Sequence, residues 1–350
     1  MLINDLLKIM VEKNASDLHI GVGQKPVLRL HGDLVVQADL PVVSDEDAKE
    51  ILLNVSTPEQ LSYFKQEKEL DLAYSVSGLA RFRVNVLRQR GTLSFAFRLI
   101  PFKIPSLDDL GMPAVLKKLA AKRKGLVLIT GQTGSGKSTT MAALIRQVND
   151  TEKRNIITIE EPVEFLHQNN KCVISQREVG TDTDSFSKAL IHALRHDPDV
   201  IVVGEMRDLA TISTAMTAAE TGHLVFGTLH TYDAPQTVDR IIDVFPVLQQ
   251  PQMRIQFAQI IEGIICQTLV RKIGGGRAAA LEIMLGTSAA RYLIRDGKTH
   301  QLHSTMQSAS KDGMQILDQS LAGLVNNRTI TKEEAMINCT EPEQLKMYLN

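Results

Sequence analysis

Residues 126–138 join an apolar segment to a glycine-rich loop and read Leu126-Val127-Leu128-Ile129-Thr130-Gly131-Gln132-Thr133-Gly134-Ser135-Gly136-Lys137-Ser138. The last eight residues match the pattern G-x-x-x-x-G-K-S, and a helix-compatible run, residues 139–148, follows them. A loop of this kind between a strand and a helix N-terminus binds phosphate groups. The alternative is a glycine-rich turn that only caps a helix. The stretch predicts an α/β domain with a phosphate-binding loop.

The residue types of this loop suit MgATP. Glycines let backbone N–H groups approach the phosphates without a side-chain clash. Lys137 is expected to reach the β- and γ-phosphates, and the Ser138 hydroxyl is expected to bind Mg²⁺. ATP and Mg²⁺ are therefore the predicted cofactors. The predicted nucleotide-binding residues are Gln132, Thr133, Gly134, Ser135, Gly136, Lys137, Ser138 and Thr139.

Short apolar segments alternate with helical patterns on the carboxyl side of the loop. Residues 126–129, 156–159, 200–203 and 224–226 are apolar on both faces, which is typical of a buried parallel sheet. After residue 233 the apolar spacing is mainly helical, and residues 247–273 predict one or two helices that end at Gly274-Gly275-Gly276. We therefore expect an ATPase domain over residues 114–350, with residues 233–350 as its mainly helical part.

The first hundred residues predict a separate α+β domain, residues 1–99. Helical periodicity covers residues 2–13 and 45–53, and residues 27–34 and 35–40 flank a Gly32-Asp33 turn. Residues 80–87 and 93–99 alternate like strands, with Gly91 between them. Two prolines within residues 100–106 indicate a stiffened linker, which we place at residues 100–113.

The composition limits the classes of function. The 350 residues carry a net charge of -1, with 39 basic and 40 acidic residues, so nothing in the overall charge calls for a nucleic acid. Aromatic residues make up only 4%, which leaves few stacking platforms for single strands. The three cysteines form no C-x-x-C pair, and no apolar run approaches the ~18 residues of a membrane span. We expect a soluble, cytoplasmic protein.

Acidic residues follow two of the predicted strands. Glu205 comes after residues 200–203, and Glu160, Glu161 and Glu164 come after residues 156–159. Ligands of open α/β sheets bind beyond the carboxyl ends of the strands, where an ATPase needs carboxylates near the metal and the attacking water. A solvated strand end is the alternative for each of them.

Histidines and arginines supply further candidates. His223 and His230 lie at the two ends of one apolar strand, about 23 Å apart in an extended chain, which argues against a shared metal. His230 is at the phosphate side and could contact the γ-phosphate or orient water, or could be structural. Arg83 and Arg98 belong to a cluster interleaved with phenylalanines. That cluster suits a nucleic-acid surface, arginines that reach a neighbour's nucleotide, or a solvated sheet face.

Four further stretches, together with the phosphate loop, are similar in order and spacing to the motor ATPases of secretion systems and type IV pili, and most closely to pilus retraction ATPases. The similarity covers almost the whole length. The stretches are Ala15-Ser16-Asp17-Leu18-His19, Ile157-Thr158-Ile159-Glu160-Glu161-Pro162-Val163-Glu164-Phe165, Asp197-Pro198-Asp199-Val200 through Glu205-Met206-Arg207-Asp208, and Thr217-Ala218-Ala219-Glu220-Thr221-Gly222-His223 through His230-Thr231.

The resemblance implies roles for single residues. Glu164 would be the catalytic base, and Glu205 the acid that acts through the metal or water, with Ser138 and Glu205 at Mg²⁺. His230, with His223 as a further candidate, would belong to the family's histidine motif.

The resemblance also implies an assembly. The family forms a hexameric ring of chains with a PAS-like N-terminal and a RecA-like C-terminal domain, and Arg83 and Arg98 would be presented to a neighbour's nucleotide. The implied partners are an inner-membrane platform protein and the pilus machinery, at the cytoplasmic face of the inner membrane. Neither nucleic-acid binding nor direct membrane insertion is expected.

The choice of retraction depends on two features. The N-terminal region is short and lacks a four-cysteine insert, unlike assembly relatives. Residues 289–296, Ala289-Ala290-Arg291-Tyr292-Leu293-Ile294-Arg295-Asp296, occupy the place of the retraction helix A-I-R-N-L-I-R-E. Ala290 and Tyr292 differ from that pattern, Glu161 replaces the usual Asp, and Gln132 replaces the usual Pro. A low-turnover accessory paralogue and a nucleic-acid translocase on the same fold are the alternatives.

Overall fold

The computed structural model describes residues 2–30, 32–100 and 104–349, and it has a mixed α/β fold with two sheets. The chain divides into two compact units. The first covers residues 1–103 and 162–166, and the second covers residues 104–161 and 167–350. The short segment 162–166 thus belongs with the N-terminal unit, a feature that no sequence pattern indicated. Residues 101–103 of the expected linker lie outside the described residues.

The N-terminal unit combines three helices with an antiparallel sheet of order β3-β2-β1-β6-β5-β4. Helix α1 buries Ile3, Leu6, Leu7 and Met10, the one-sided spacing of an amphipathic helix. Capping boxes at Ser44 and Thr57 begin α2 and α3. The elements are α1 (Ile3–Glu12), β1 (Asp17–Gly21), β2 (Val27–Leu30), β3 (Asp33–Val36), α2 (Asp45–Val55), α3 (Pro58–Glu67), β4 (Glu69–Val76), β5 (Ala80–Gln89) and β6 (Thr92–Ile100).

The second unit has a seven-stranded sheet of order β13-β12-β7-β11-β10-β8-β9. Its neighbouring strands are parallel except for the β12–β13 pair. Up to the end of β11 the elements are α4 (Val115–Ala120), β7 (Gly125–Thr130), α5 (Lys137–Thr151), β8 (Asn155–Glu160), β9 (Val173–Glu178), α6 (Phe186–Ala193), β10 (Val200–Val203), α7 (Leu209–Glu220) and β11 (Leu224–Leu229). The remaining α-helices and strands are α8 (Ala234–Asp243), α9 (Gln250–Ile260), β12 (Ile261–Arg271), β13 (Arg277–Leu285), α10 (Ser288–Arg295), α11 (Leu302–Ser308), α12 (Leu317–Asn326), α13 (Lys332–Asn338) and α14 (Pro342–Tyr348).

The four apolar segments of the sequence form the centre of this sheet. Every residue of β7, β10 and β11 is buried, as are the four central residues of β8. Helices cover the sheet and complete two apolar clusters. The prediction of a buried parallel sheet is confirmed.

The prediction of helices over residues 247–273 is wrong for its second half. Helix α9 ends at Ile260, and β12 runs from Ile261 to Arg271, so that residues 233–350 also contain the β12–β13 hairpin. A run that is apolar on all sides cannot be assigned by periodicity, because a buried strand and a buried helix look alike. The β-branched residues of Ile261–Arg271 fit the strand, and β7 and β13 complete its hydrogen bonds.

The hairpin predicted around Gly32-Asp33 is present, but its second strand is Asp33–Val36 rather than residues 35–40. Gln37 and Leu40 instead close a turn through their backbone groups. Strands β1, β4 and β9 were not anticipated.

Candidate active site

Parallel pairing brings the carboxyl ends of three strands to one edge of the sheet. Strand β11 pairs with β7 on one side and with β10 on the other. The glycine-rich loop follows β7, Glu205 follows β10, and His230 follows β11. The order of the strands, rather than proximity in sequence, therefore collects these candidates at the edge where ligands of open α/β sheets bind.

The glycine-rich loop folds around its own lysine. Lys137 Nζ donates to the carbonyl oxygens of Gly131 at 2.7 Å and of Gln132 at 2.9 Å. Gly136, the residue before α5, has a φ of 88°, which favours glycine. The buried Ser135 hydroxyl has no hydrogen-bond partner among the described residues. A lysine, a helix N-terminus and an unpaired buried hydroxyl fit a phosphate group.

A residue that the sequence analysis missed lies behind this loop. Gln267 of β12 is buried, and its side chain bonds both the loop and α5. The sequence did show a glutamine within the mostly apolar run Ile261–Val270. Because this run was assigned to a helix, the face of the sheet to which Gln267 belongs could not be predicted.

Glu205 and His230 are brought together. His230 Nε2 lies 3.0 Å from Glu205 Oε1, and Arg207 Nε donates to the same carboxylate oxygen. The hydrogen bond to Glu205 raises the pKa of the Arg207 guanidinium. The Glu205 side chain is only 18% exposed, so its charge is well placed to act on a bound group.

His223 is not part of this group. Its Nδ1 lies 2.9 Å from the carbonyl oxygen of Ala218, near the end of α7, at the opposite end of β11. His223 and His230 are thus separated by the whole length of β11 (Leu224–Leu229). Within residues 2–30, 32–100 and 104–349, no group of three or more His, Cys, Asp or Glu side chains is arranged around a metal.

The acids that follow β8 have different surroundings. Glu160 accepts hydrogen bonds from Thr158 at 2.6 Å and from Gln176 at 3.2 Å. Glu161 is exposed. Glu164 lies in the segment that belongs to the N-terminal unit, and its Oε1 is 3.6 Å from Arg83 Nη1.

Arg83 and Arg98 are direct neighbours on the antiparallel sheet. They are paired in register between β5 and β6, and Asp17 of β1 is paired with Arg98 on the other side. Arg98 Nε donates to Asp17 Oδ1 at 2.8 Å. Burial would raise the pKa of the Asp17 carboxyl, but hydrogen bonds from Ser16 and Arg98 outweigh it and lower the pKa.

Comparisons with known proteins agree with this fold. A family model described as "Type II/IV secretion system protein" matches residues 1–311. The chain is 46% identical over 341 residues to "Type IV pilus retractation ATPase PilT" of Pseudomonas aeruginosa, which covers 97% of this chain and 99% of that one. It is 40% identical over 345 residues to "Type IV pilus ATPase PilU" of the same organism, which covers 98% and 90%.

The fold of this chain is also similar to that of a solved structure. "Crystal Structure of the Pilus Retraction Motor PilT and Bound ADP" superposes with a TM-score of 0.92, at 44% identity and with 99% of both chains covered. No helix among the described residues is both long and apolar enough to cross a bilayer. The resemblance inferred from the sequence motifs is confirmed, and this chain is an ATPase that belongs to the type II/IV secretion system protein family.

Proposed function

We propose that this chain is the motor ATPase of a type IV pilus and couples ATP hydrolysis to pilus disassembly and retraction. The observation that carries the proposal is the meeting of the phosphate loop with the Glu205–His230 pair at one sheet edge. The relatives named for pilus retraction support the assignment of the mechanical task.

In this proposal residues 114–350 form a RecA-like ATPase domain, and residues 1–99 a PAS-like domain joined to it by residues 100–113. Residues Gln132 to Thr139 hold the nucleotide phosphates, and Ser138 with Glu205 would hold Mg²⁺. The ion supplies positive charge to the phosphate oxygens when it is bound. Glu164 acts as the base toward the attacking water, and His230 holds the Glu205 carboxylate in place.

The proposed working form is a homohexamer at the cytoplasmic face of the inner membrane, docked on a platform protein of the pilus machinery. Arg83 and Arg98 are proposed to act on the nucleotide of a neighbouring subunit. Both side chains are exposed, 40% for Arg83 and 71% for Arg98, which supports their availability to a second chain.

The test is deletion of the gene in its native cell, with pilus number and twitching as readouts. Loss of a retraction motor leaves abundant pili and no movement, whereas loss of an assembly motor leaves cells without pili. Complementation with the wild-type chain or with Lys49→Ala, an exposed lysine paired with Asp45, should restore twitching. Complementation with Lys137→Ala should not. Cells without pili would refute the proposal.

An accessory paralogue of the retraction motor is the second candidate. The 40% identity to a protein named PilU and the departures at Ala290 and Tyr292 favour it. Phosphate release by the purified assembly separates the two. A main motor releases phosphate continuously, whereas an accessory paralogue with tight ATP binding and negligible release requires a second motor in the cell.

A further inference from the structure

The Gln267 side chain bridges the phosphate loop and the helix that follows it. Its Nε2 donates to the Ser135 carbonyl oxygen at 2.7 Å, and its Oε1 accepts from the Thr140 hydroxyl at 2.7 Å. The residue is only 3% exposed. Because a carbonyl oxygen can only accept, the amide must present its nitrogen to Ser135, and the Thr140 hydroxyl stabilises that orientation.

The bond to the Ser135 carbonyl orients the next backbone N–H. In a planar trans peptide the C=O and the N–H point in opposite directions. Gln267 draws the Ser135 carbonyl toward β12, so the Gly136 N–H points away from β12. Gly136 precedes the first residue of α5, the position at which free N–H groups of a helix N-terminus bind phosphate.

The loop also lies directly against this residue at both of its ends. A Cβ on Gly131 would come within 2.3 Å of the Gln267 backbone oxygen, and a Cβ on Gly136 within 2.8 Å of Gln267 Nε2. Two glycines of the motif therefore serve the close approach of the loop to β12, in addition to the phosphate. Strand β12 forms the rear wall of the loop.

We propose that Gln267 is a positioning residue for nucleotide phosphates, which acts by holding the Ser135–Gly136 peptide in its phosphate-binding orientation. The proposal rests on the assignment of residues Gly131–Ser138 as the ATP site. The Gln267 amide bonds the carbonyl oxygen of Ser135, so its effect on the phosphates passes through the backbone of the loop. The same contact links the β12–β13 hairpin to the nucleotide site.

Two substitutions of similar size test the proposal. Gln267→Met removes both hydrogen bonds, and Gln267→Glu keeps the acceptor for Thr140 but replaces the donor to Ser135 with a carboxylate oxygen. The matched control is Gln315→Met, because Gln315 is a half-buried glutamine whose Nε2 donates to the Leu281 carbonyl of β13 at 2.9 Å. Direct binding of ADP and of ATP to the full-length chain is measured, with kcat, KM and the thermal midpoint without nucleotide.

We expect both Gln267 variants to raise the Kd for ADP and the KM for ATP at least tenfold, with a smaller change in kcat. Gln315→Met should leave the Kd for ADP within twofold of the wild-type value, even if its thermal midpoint falls as much as that of the Gln267 variants. A purely structural role would lower the midpoint and leave nucleotide affinity of the folded protein unchanged. Unchanged ADP affinity in Gln267→Met would overturn the proposal.

Thr140→Val keeps the proposal testable if the Gln267 variants do not fold. It removes the hydroxyl that fixes the amide, and we expect a Kd for ADP raised about threefold. In that case an unchanged Kd for ADP in Thr140→Val would overturn the proposal. Where Gln267→Met does fold, adding Thr140→Val to it should change the Kd little, because both changes release the same peptide; full additivity would count against the bridge. Failure of the ATP-site assignment looks different, since Lys137→Ala would then bind ADP as well as the wild-type chain does.

Discussion

Two groups of candidate site residues lie on sheets of different kinds. Glu205 and His230 follow neighbouring strands of the parallel sheet and meet at its carboxyl edge. Arg83, Arg98 and Asp17 lie in register across three strands of the antiparallel sheet. In the first group the strand order alone brings the side chains together. In the second the positions depend on strand register, so a one-residue slip would turn them to the other face.

The charges are also balanced differently. Arg98 is paired with Asp17, and Arg83 lies 3.6 Å from Glu164, so both arginines have carboxylate partners within the N-terminal unit. The Asp17 side chain is only 9% exposed, so removal of Arg98 from it would leave a buried carboxylate without this partner. The Arg83–Glu164 contact joins two partly exposed side chains and contributes only about 0–1 kcal/mol. The Glu205 side chain is 18% exposed, less than that of Arg83 or Arg98, and both Arg207 and His230 contact its carboxylate. Of these contacts, the one between Arg83 and Glu164 can be exchanged for a phosphate at the least cost.

Glu205→Gln should have the largest effect. The variant keeps the shape but loses the charge at the sheet edge, and we expect kcat to fall about 100-fold or more while the Kd for ATP stays within threefold. Phosphate release and direct binding measure the two quantities. Glu220→Gln, an exposed glutamate that accepts from Gln256, is the control. A Glu205→Gln variant with the wild-type kcat would show that this carboxylate is dispensable.

Glu164→Gln separates two explanations of one residue. If Glu164 is the base, the Glu164→Gln variant should have a kcat about 30-fold lower than the wild-type chain, with ATP binding unchanged. If Glu164 only holds Arg83 in place, the Glu164→Gln variant should lose no more kcat than the Arg83→Ala variant does. Phosphate release by both variants and by the double variant compares the two. Equal losses in all three would remove Glu164 from the catalytic group.

The parallel-sheet site could largely be predicted from the sequence, for physical reasons. Four segments that are mostly apolar mark a buried sheet. Residues that follow the strands of a parallel sheet appear at one edge, so the sequence alone could place Glu205 and His230 there. Gln267 could not, because its contact depends on which strand pairs with β7. That strand, Ile261–Arg271, carried the apolar pattern of a helix as well.

The arginines of the antiparallel sheet could be predicted only as candidates. The alternation of β5 indicated that Arg83 faces away from the core, where Phe82 and Val84 lie. The pairing of Arg83 with Arg98 needs the register of two strands, which the turn at Arg90-Gly91 fixes. Glu164 and Arg83 are 81 residues apart in the chain, and no local sequence pattern predicted their contact.

If the two arginines act as proposed, Arg83→Ala and Arg98→Ala should each lower kcat about tenfold, because each removes a charge that would stabilise the reacting phosphate. Mixing tests whether the arginines act on a neighbour. Arg98→Ala subunits have an intact phosphate loop, and Lys137→Ala subunits have intact arginines. A mixture of the two variants should therefore show more activity than the average of the two proteins measured separately. No recovery under conditions of subunit exchange would place the arginines' action within their own chain.

The smallest expected effect is on the free energy of unfolding. Its dependence on pH should differ between a carboxyl of the parallel sheet's hairpin and one of the antiparallel sheet. Burial raises the pKa of Glu282 on β13 to about 7, although the carboxylate accepts a hydrogen bond from the Ala234 N–H, whereas the pKa of Asp17 is lowered. A raised pKa means that the folded state holds the proton more tightly than the unfolded state.

The Glu282 contribution is thus complete below the unfolded pKa of about 4.3 and is lost as the pH rises to 7, with a slope of at most about 1.4 kcal/mol per pH unit. Asp17 contributes with the opposite sign, since its stabilisation is lost only as the pH falls below the ordinary range of a carboxyl. Glu282→Gln has no such proton to release. Denaturant unfolding at pH 5, 6, 7 and 8 should therefore show the wild-type chain losing stability relative to Glu282→Gln as the pH rises. Asp17→Asn should follow the wild-type chain over the same range, and parallel curves for wild type and Glu282→Gln would show that Glu282 keeps an ordinary pKa.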